Sequence, residues 1–239
     1  MVLRTRGLTL AYGQRTVLED ITLEVRRGEF WFFVGPNGSG KTTLLRAILG
    51  VVEPRAGELS LDPILAPRER IGFVPQRCDL NPTLPTTVRE FVLLGLVGLR
   101  VRRRDERERL AGALTKVGMA GMERRDYWSL SGGQRQRALV GRTLVRQPSF
   151  LILDEATTGL DLSATEEFLR TVTELNRTDG LTILFVTHDL TLAVGHATHA
   201  DLFSGGRVHA GPACEVLSPE NLMRAYGVPV QVTGRRPEP

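Results

Sequence analysis

The sequence predicts an α/β chain: a mainly parallel sheet with covering helices, preceded by an antiparallel β subdomain and interrupted by an inserted α-helical subdomain. Three observations predict it. The short apolar runs at 30–34, 150–153 and 181–186, the last broken only by Thr182, suit buried strands. A polar helical stretch over about 163–176 lies between the last two, the alternation that a parallel sheet with crossover helices requires. From 86 to about 146 the apolar residues, among them Leu110, Leu114 and Val117, recur at three- and four-residue intervals, which is helical spacing.

Taken in order, residues 8–25 alternate apolar and polar around Tyr12-Gly13, as an antiparallel hairpin does. Gly28 turns the chain into the apolar run 30–34, which leads through a glycine-rich loop into a helix over 42–49. Residues 57–61 and 70–74 read as a second short β region that closes at Pro75-Gln76. The 239 residues fit a single domain, with a core and β subdomain over about 1–85 and 147–239 and the helical subdomain over about 86–146. The tail 234–239 has nothing to bury and is expected to be loose.

Hydrophobic residues make up 41% and charged residues 24%, the balance of an ordinary globular chain, which excludes disordered and fibrous classes. The longest apolar stretch, 91–99, is far short of a membrane span and holds two glycines. The N-terminus lacks the apolar stretch and cleavage site of a secretory signal, so a cytosolic chain is expected. Cys78 and Cys214 show neither metal-ligand nor disulfide spacing and receive no function. The 31 basic residues nearly match the 27 acidic ones, so a nucleic-acid partner is not expected. The densest basic run, 100–109, carries acids at helical spacing, Arg104 with Glu108 and Asp105 with Arg109. It reads as a solvated helix face, the alternative being a contact to nucleic acid or lipid headgroups.

Chemistry concentrates in four strings. Gly35-Pro36-Asn37-Gly38-Ser39-Gly40-Lys41-Thr42 fits the P-loop pattern in full, after an apolar strand and before a helix. Its glycines let backbone N–H groups converge on phosphate oxygens, Lys41 reaches the β and γ phosphates, and Thr42 offers a hydroxyl to Mg²⁺. Asp154-Glu155 end a buried strand with adjacent carboxylates, one to hold Mg²⁺ through water and one to polarise an attacking water. Ser131-Gly132-Gly133-Gln134 precede an arginine-rich helix and read either as a helix cap or as a second anion site with bare N–H groups. His188 follows a strand and reads either as structural or as a donor to a γ-phosphate. His196, His199 and His209 lack the Cys or carboxylate that would complete a metal site.

In this order the strings resemble the ATP-binding subunit of an ATP-binding cassette (ABC) transporter over nearly the whole chain. The resemblance implies a P-loop NTPase core of the RecA-like type, with ATP and Mg²⁺ as cofactors. Tyr12 matches the aromatic that stacks on adenine, Gly35 to Thr43 the Walker A loop, and Gln76 the glutamine that contacts Mg²⁺ and senses the membrane partner. Leu130 to Gln134 match the signature motif, Asp154 and Glu155 the Walker B acids, Asp161 the D-loop and His188 the switch histidine. Catalytic roles are thereby implied for Glu155, His188, Lys41 and Gln76, and metal binding for Thr42, Gln76 and Asp154. Ala156 departs from the proline that commonly follows the glutamate.

In that family two cassettes pair head to tail and each signature motif caps the ATP held by the other. The resemblance therefore implies a second cassette, separate integral permease subunits, a solute-binding protein if the system imports, and a peripheral place on the inner face of the cytoplasmic membrane. Residues 70–76, 85–95 and 226–230 look most like importers of zinc, manganese or iron, and siderophore cassettes share much of them.

Overall fold

The computed structural model describes residues 1–65, 70–76, 78, 81 and 83–227. The expected loose tail, and most of the importer-like segment at 226–230, lie outside the described residues. The chain runs β1 (Leu3–Tyr12), β2 (Arg15–Val25), β3 (Phe30–Val34), α1 (Lys41–Ile48), β4 (Ala56–Leu61) and β5 (Ile71–Val74). It continues through α2 (Val88–Leu93), α3 (Arg103–Lys116), α4 (Gly132–Leu144), β6 (Phe150–Asp154) and α5 (Leu162–Asp179). The last elements are β7 (Thr182–Val186), α6 (Leu190–His196), β8 (His199–Ser204), β9 (Arg207–Pro212), α7 (Ala213–Val216) and α8 (Pro219–Tyr226). Two compact units result, one of Met1–Ala66 with Thr182–Pro239 and one of Pro67–Leu181.

In the first unit β1 pairs antiparallel with β2 on one side and β4 on the other. The alternation that predicts the hairpin puts Leu8 and Leu10 of β1 and Leu18, Ile21 and Leu23 of β2 inside. The register shifts between Thr5 and Leu8, where Gly7 adopts φ 55°. A Cβ on Gly57 of β4 would lie 2.2 Å from the Gly7 carbonyl oxygen, so the two backbones touch only because that residue has no side chain.

The same unit holds β3 between β7 and β8, both parallel to it, with β9 antiparallel on β8. Ser204 pairs with Arg207 across the two-residue turn Gly205-Gly206, both at positive φ as that turn demands. All five residues of β3 and all five of β7, Thr182 included, are buried, as their largely apolar runs predict for central strands. Phe32 stacks on Phe185 at 5.1 Å between ring centres, and Phe33 packs on Phe203. Helix α8 starts on a Ser218 cap and stops at Gly227, at φ 72°.

Asp201 of β8 sits in this core, in register with Phe33 and Ala210, fully buried and with neither carboxylate oxygen hydrogen-bonded. Burial pushes its pKa well above the ordinary carboxylate range. Because the folded pKa is raised, the stability that protonated Asp201 permits is fully present below the unfolded carboxylate pKa and is lost as pH rises above it. Asp201→Asn is therefore expected to raise the thermal midpoint at neutral pH, with the gap to the parent closing as pH falls toward 4. Melting curves across that range check it, and a gap that stays constant with pH would refute it.

In the second unit β5 pairs parallel with β6, from Ile71 with Phe150 to Val74 with Leu153. The sequence suggests that 57–61 and 70–74 form one β region, and the structure corrects this: the first pairs with β1 and the second with β6. Short strand segments carry no mark of their partner, which is set by distant packing. The stretch read as helical holds α2, α3 and α4, packed through Phe91, Leu110, Leu114, Val117, Ala138 and Val140. Thr87 with Glu90, and Ser131 with Gln134, form capping boxes that fix where α2 and α4 begin. The Arg104–Glu108 pair forms at 3.3 Å between highly exposed side chains, which gives it little weight in stability. Among the described residues no helix is long and apolar enough to cross a membrane.

Candidate active site

In the first unit, β3 delivers the chain into the glycine-rich loop. A Cβ on Gly35 would lie 2.5 Å from the Phe203 carbonyl oxygen, and one on Gly40, at φ 106°, 2.6 Å from Leu18 Cδ2. The loop is thus seated directly on β8 and β2, and only glycine fits at its two ends. Helix α1 opens immediately afterwards with no side-chain cap and no acid in its first turn, leaving its N-terminal dipole open to an anion. Lys41 is 6% exposed and folds back, its Nζ donating to the carbonyls of Gly35 at 2.7 Å and Pro36 at 3.0 Å. The Thr42 side is exposed, whereas Ser39 Oγ is buried with no hydrogen-bond partner.

Tyr12 ends β1 with its ring 46% exposed and accepts at its hydroxyl from Arg46 Nη1 at 3.4 Å. That hydrogen bond, with smaller help from Thr43, lowers the phenol's pKa. Arg46 is a partner that reading the sequence missed, since nothing in its spacing links α1 to the end of β1. The Thr187 amide donates to the Phe33 carbonyl, so His188 leaves β7 level with the start of the P-loop. Asp189 then caps α6, accepting from the amides of Thr191 and Leu192, which fixes the backbone beside His188.

In the second unit, the parallel pairing of β5 and β6 brings Gln76 and Glu155 to the same strand ends. Gln76 Nε2 donates to Glu155 Oε2 at 2.9 Å, and Thr158 Oγ1 approaches the same oxygen at 3.4 Å. Thr158 too escaped notice in the sequence, where it is one of two threonines in an ordinary turn. Glu155 itself adopts φ 46°, a left-handed backbone uncommon outside glycine. Asp154 stands half-buried at the end of β6.

Ser131 caps α4 through the Gln134 amide at 3.3 Å, and Gln134 returns the bond through its side chain at 3.1 Å. The N–H groups expected to be bare there are not all so, because the Gln134 amide is already taken. Gly133 approaches Ala164 of α5, and Asp161 caps α5 by accepting from the Ala164 amide at 2.8 Å. The arginines of α4 serve structure: Arg135 donates to the Trp128 carbonyl, Arg137 pairs with Glu167 at 2.9 Å, and Arg142 lies over the Phe91 ring. His199 stacks on Trp31 and lies 3.8 Å from Glu29.

Residues 18–158, which take in the P-loop, Gln76, the α4 cap, Asp154 and Glu155, match the family model for the ABC transporter. The chain belongs to the ABC transporter family. The cassette is 39% identical to the zinc import ATP-binding protein ZnuC of Jannaschia sp. (strain CCS1) over 95% of its own length and 88% of that protein's. To the manganese transport system ATP-binding protein MntB of Listeria innocua serovar 6a it is 35% identical, over 93% of its length and 95% of the relative's. Among solved structures it resembles cbiO1 of Clostridium perfringens, part of the ABC transporter complex cbiONQ. The TM-score is 0.83, at 29% identity over 93% of each chain. The α/β fold with its antiparallel N-terminal sheet is thus that of an ABC cassette.

Proposed function

We propose that this cassette binds ATP with Mg²⁺ and hydrolyses it to ADP and phosphate, driving import of a transition-metal cation across the cytoplasmic membrane. The observation that carries the reading is the built P-loop: two ends that admit only glycine, an uncapped α1 and a buried Lys41 curled over the loop. That surface fits a polyphosphate, because converging N–H groups, a helix N-terminus and an ammonium all favour negative charge. The orphaned Ser39 hydroxyl is consistent with a polar ligand there. Zinc or manganese as cargo follows from what the relatives named above are called.

In this reading the amides of Gly38, Gly40, Lys41, Thr42 and Thr43 hold the phosphates, and Lys41 exchanges its two carbonyl partners for phosphate oxygens. Thr42, Gln76 and Asp154 are the oxygen-bearing groups that would hold Mg²⁺, which when bound neutralises charge on the phosphates. Glu155 accepts a proton from the attacking water once Gln76 releases it. His188 donates toward the γ-phosphate, and Tyr12 stacks on the adenine. Ser131, Gly132, Gly133 and Gln134 serve the ATP of a second, head-to-tail copy, with Asp161 at that junction. Residues 86–146 act as a helical subdomain that meets integral permease subunits at the inner membrane face, with a solute-binding protein outside.

Gentle solubilisation of native membranes and recovery of the chain with its companions tests this. Mass spectrometry is expected to find a polytopic permease. Ribosomal or DNA-bound companions without any membrane protein would overturn the transporter reading.

A further inference from the structure

The segment from 94 to 107 is anchored at Gly95 and Val97 and carries an excess of positive charge. Arg146 donates to the carbonyls of Gly95 and Val97, and a Cβ on Gly95 would lie 1.9 Å from the Arg142 carbonyl oxygen, so this stretch is clamped onto α4. Gly98, at φ 86°, turns the chain just after Val97, which is 70% exposed. Residues 100–109 follow with six arginines against three acids, three of the four net positive charges of the whole chain.

The acids are largely spoken for: Glu106 pairs with Arg89 and Glu108 with Arg104. Arg100, Arg102, Arg103 and Arg107 are exposed and make no ion pair among the described residues. Arg102, Arg103 and Arg104 stand at the N-terminal end of α3, where the helix dipole disfavours cations and Asp105 and Glu106 of the first turn offset them. Four exposed arginines with no ion-pair partner among the described residues, set beside an anchored stretch, point outward to an anionic partner. The same stretch is continuous with a cavity of about 400 Å³ lined by Phe73, Leu94 and Arg142, on the stretch proposed above to meet the permease.

We infer that this arginine run and Val97 rest on the anionic phospholipid headgroups of the membrane surface. Guanidinium groups match phosphate geometry with paired hydrogen bonds, and an exposed valine beside them suits the interfacial zone.

The test is co-sedimentation of the purified full chain with vesicles. Binding is expected to vesicles containing about one-third phosphatidylglycerol and not to pure phosphatidylcholine at the same low ionic strength. Each arginine removed should weaken binding about fivefold, so R100Q/R102Q/R103Q should lose on the order of a hundredfold. The equally discharged R124Q/R170Q/R177Q, altered at exposed arginines elsewhere, should bind as the parent does. No binding to the anionic vesicles, or equal loss in both triple variants, would overturn the inference. Tighter binding to a short DNA duplex than to vesicles, lost in R100Q/R102Q/R103Q, would also overturn it and assign the run to nucleic acid. The vesicles contain no permease, so the outcome is independent of the importer reading.

Discussion

Glu155→Gln is expected to abolish steady-state ATP turnover while leaving nucleotide binding intact. A positioned general base contributes about 10²–10⁴-fold, and the amide keeps the shape of the carboxylate but cannot accept the water's proton. The exchange is conservative for the surroundings: the side-chain carbonyl of glutamine can still accept from Gln76 Nε2, now at 2.9 Å from Glu155 Oε2. The P-loop lies on other elements and is untouched, so ATP should still bind and, with hydrolysis blocked, hold two copies together. Phosphate release, nucleotide titration and size-exclusion chromatography with ATP measure the three consequences. Undiminished hydrolysis would remove Glu155 from the role of base.

Lys41→Ala should act on binding itself. The ammonium is buried and held by two backbone carbonyls, so its loss removes the charge meant for the phosphates and strips the loop of its clamp. A hydrogen bond to a charged group is worth about 1.5–3 kcal/mol, which corresponds to roughly one to two orders of magnitude in Kd for ATP. Equilibrium binding with a fluorescent ATP analogue reads this directly. An unchanged affinity would undo the assignment of the loop to phosphate.

How far the sequence could be read depended on whether a feature was local. The strand at 30–34, the loop after it and the helix beginning at Lys41 are all written in adjacent residues, and the structure matches them within a residue. Pairing is not local, which is why β4 and β5, read from the sequence as one β region, belong to different sheets. Strands β8 and β9 escaped because Asp201 interrupts the apolar run of one and exposed Arg207 and His209 punctuate the other. Helices α6, α7 and α8 are at most eight residues long, shorter than the window of about 11 residues in which helical periodicity can be read. In the candidate site the residue types were legible from motif spacing. The bond from Gln76 to Glu155 was not, since it joins residues 79 apart.

The left-handed backbone of Glu155 sets a limit on how this protein can be made hardier. A non-glycine residue held at φ 46° carries on the order of 1–3 kcal/mol of strain, which glycine would relieve. A population selected for thermal endurance alone would drift toward glycine at 155 and lose the carboxylate in the process. With Glu155 as the base proposed above, endurance and chemistry pull on the same backbone angle, so stabilising changes compatible with that role come from elsewhere, such as the solvent-facing turns.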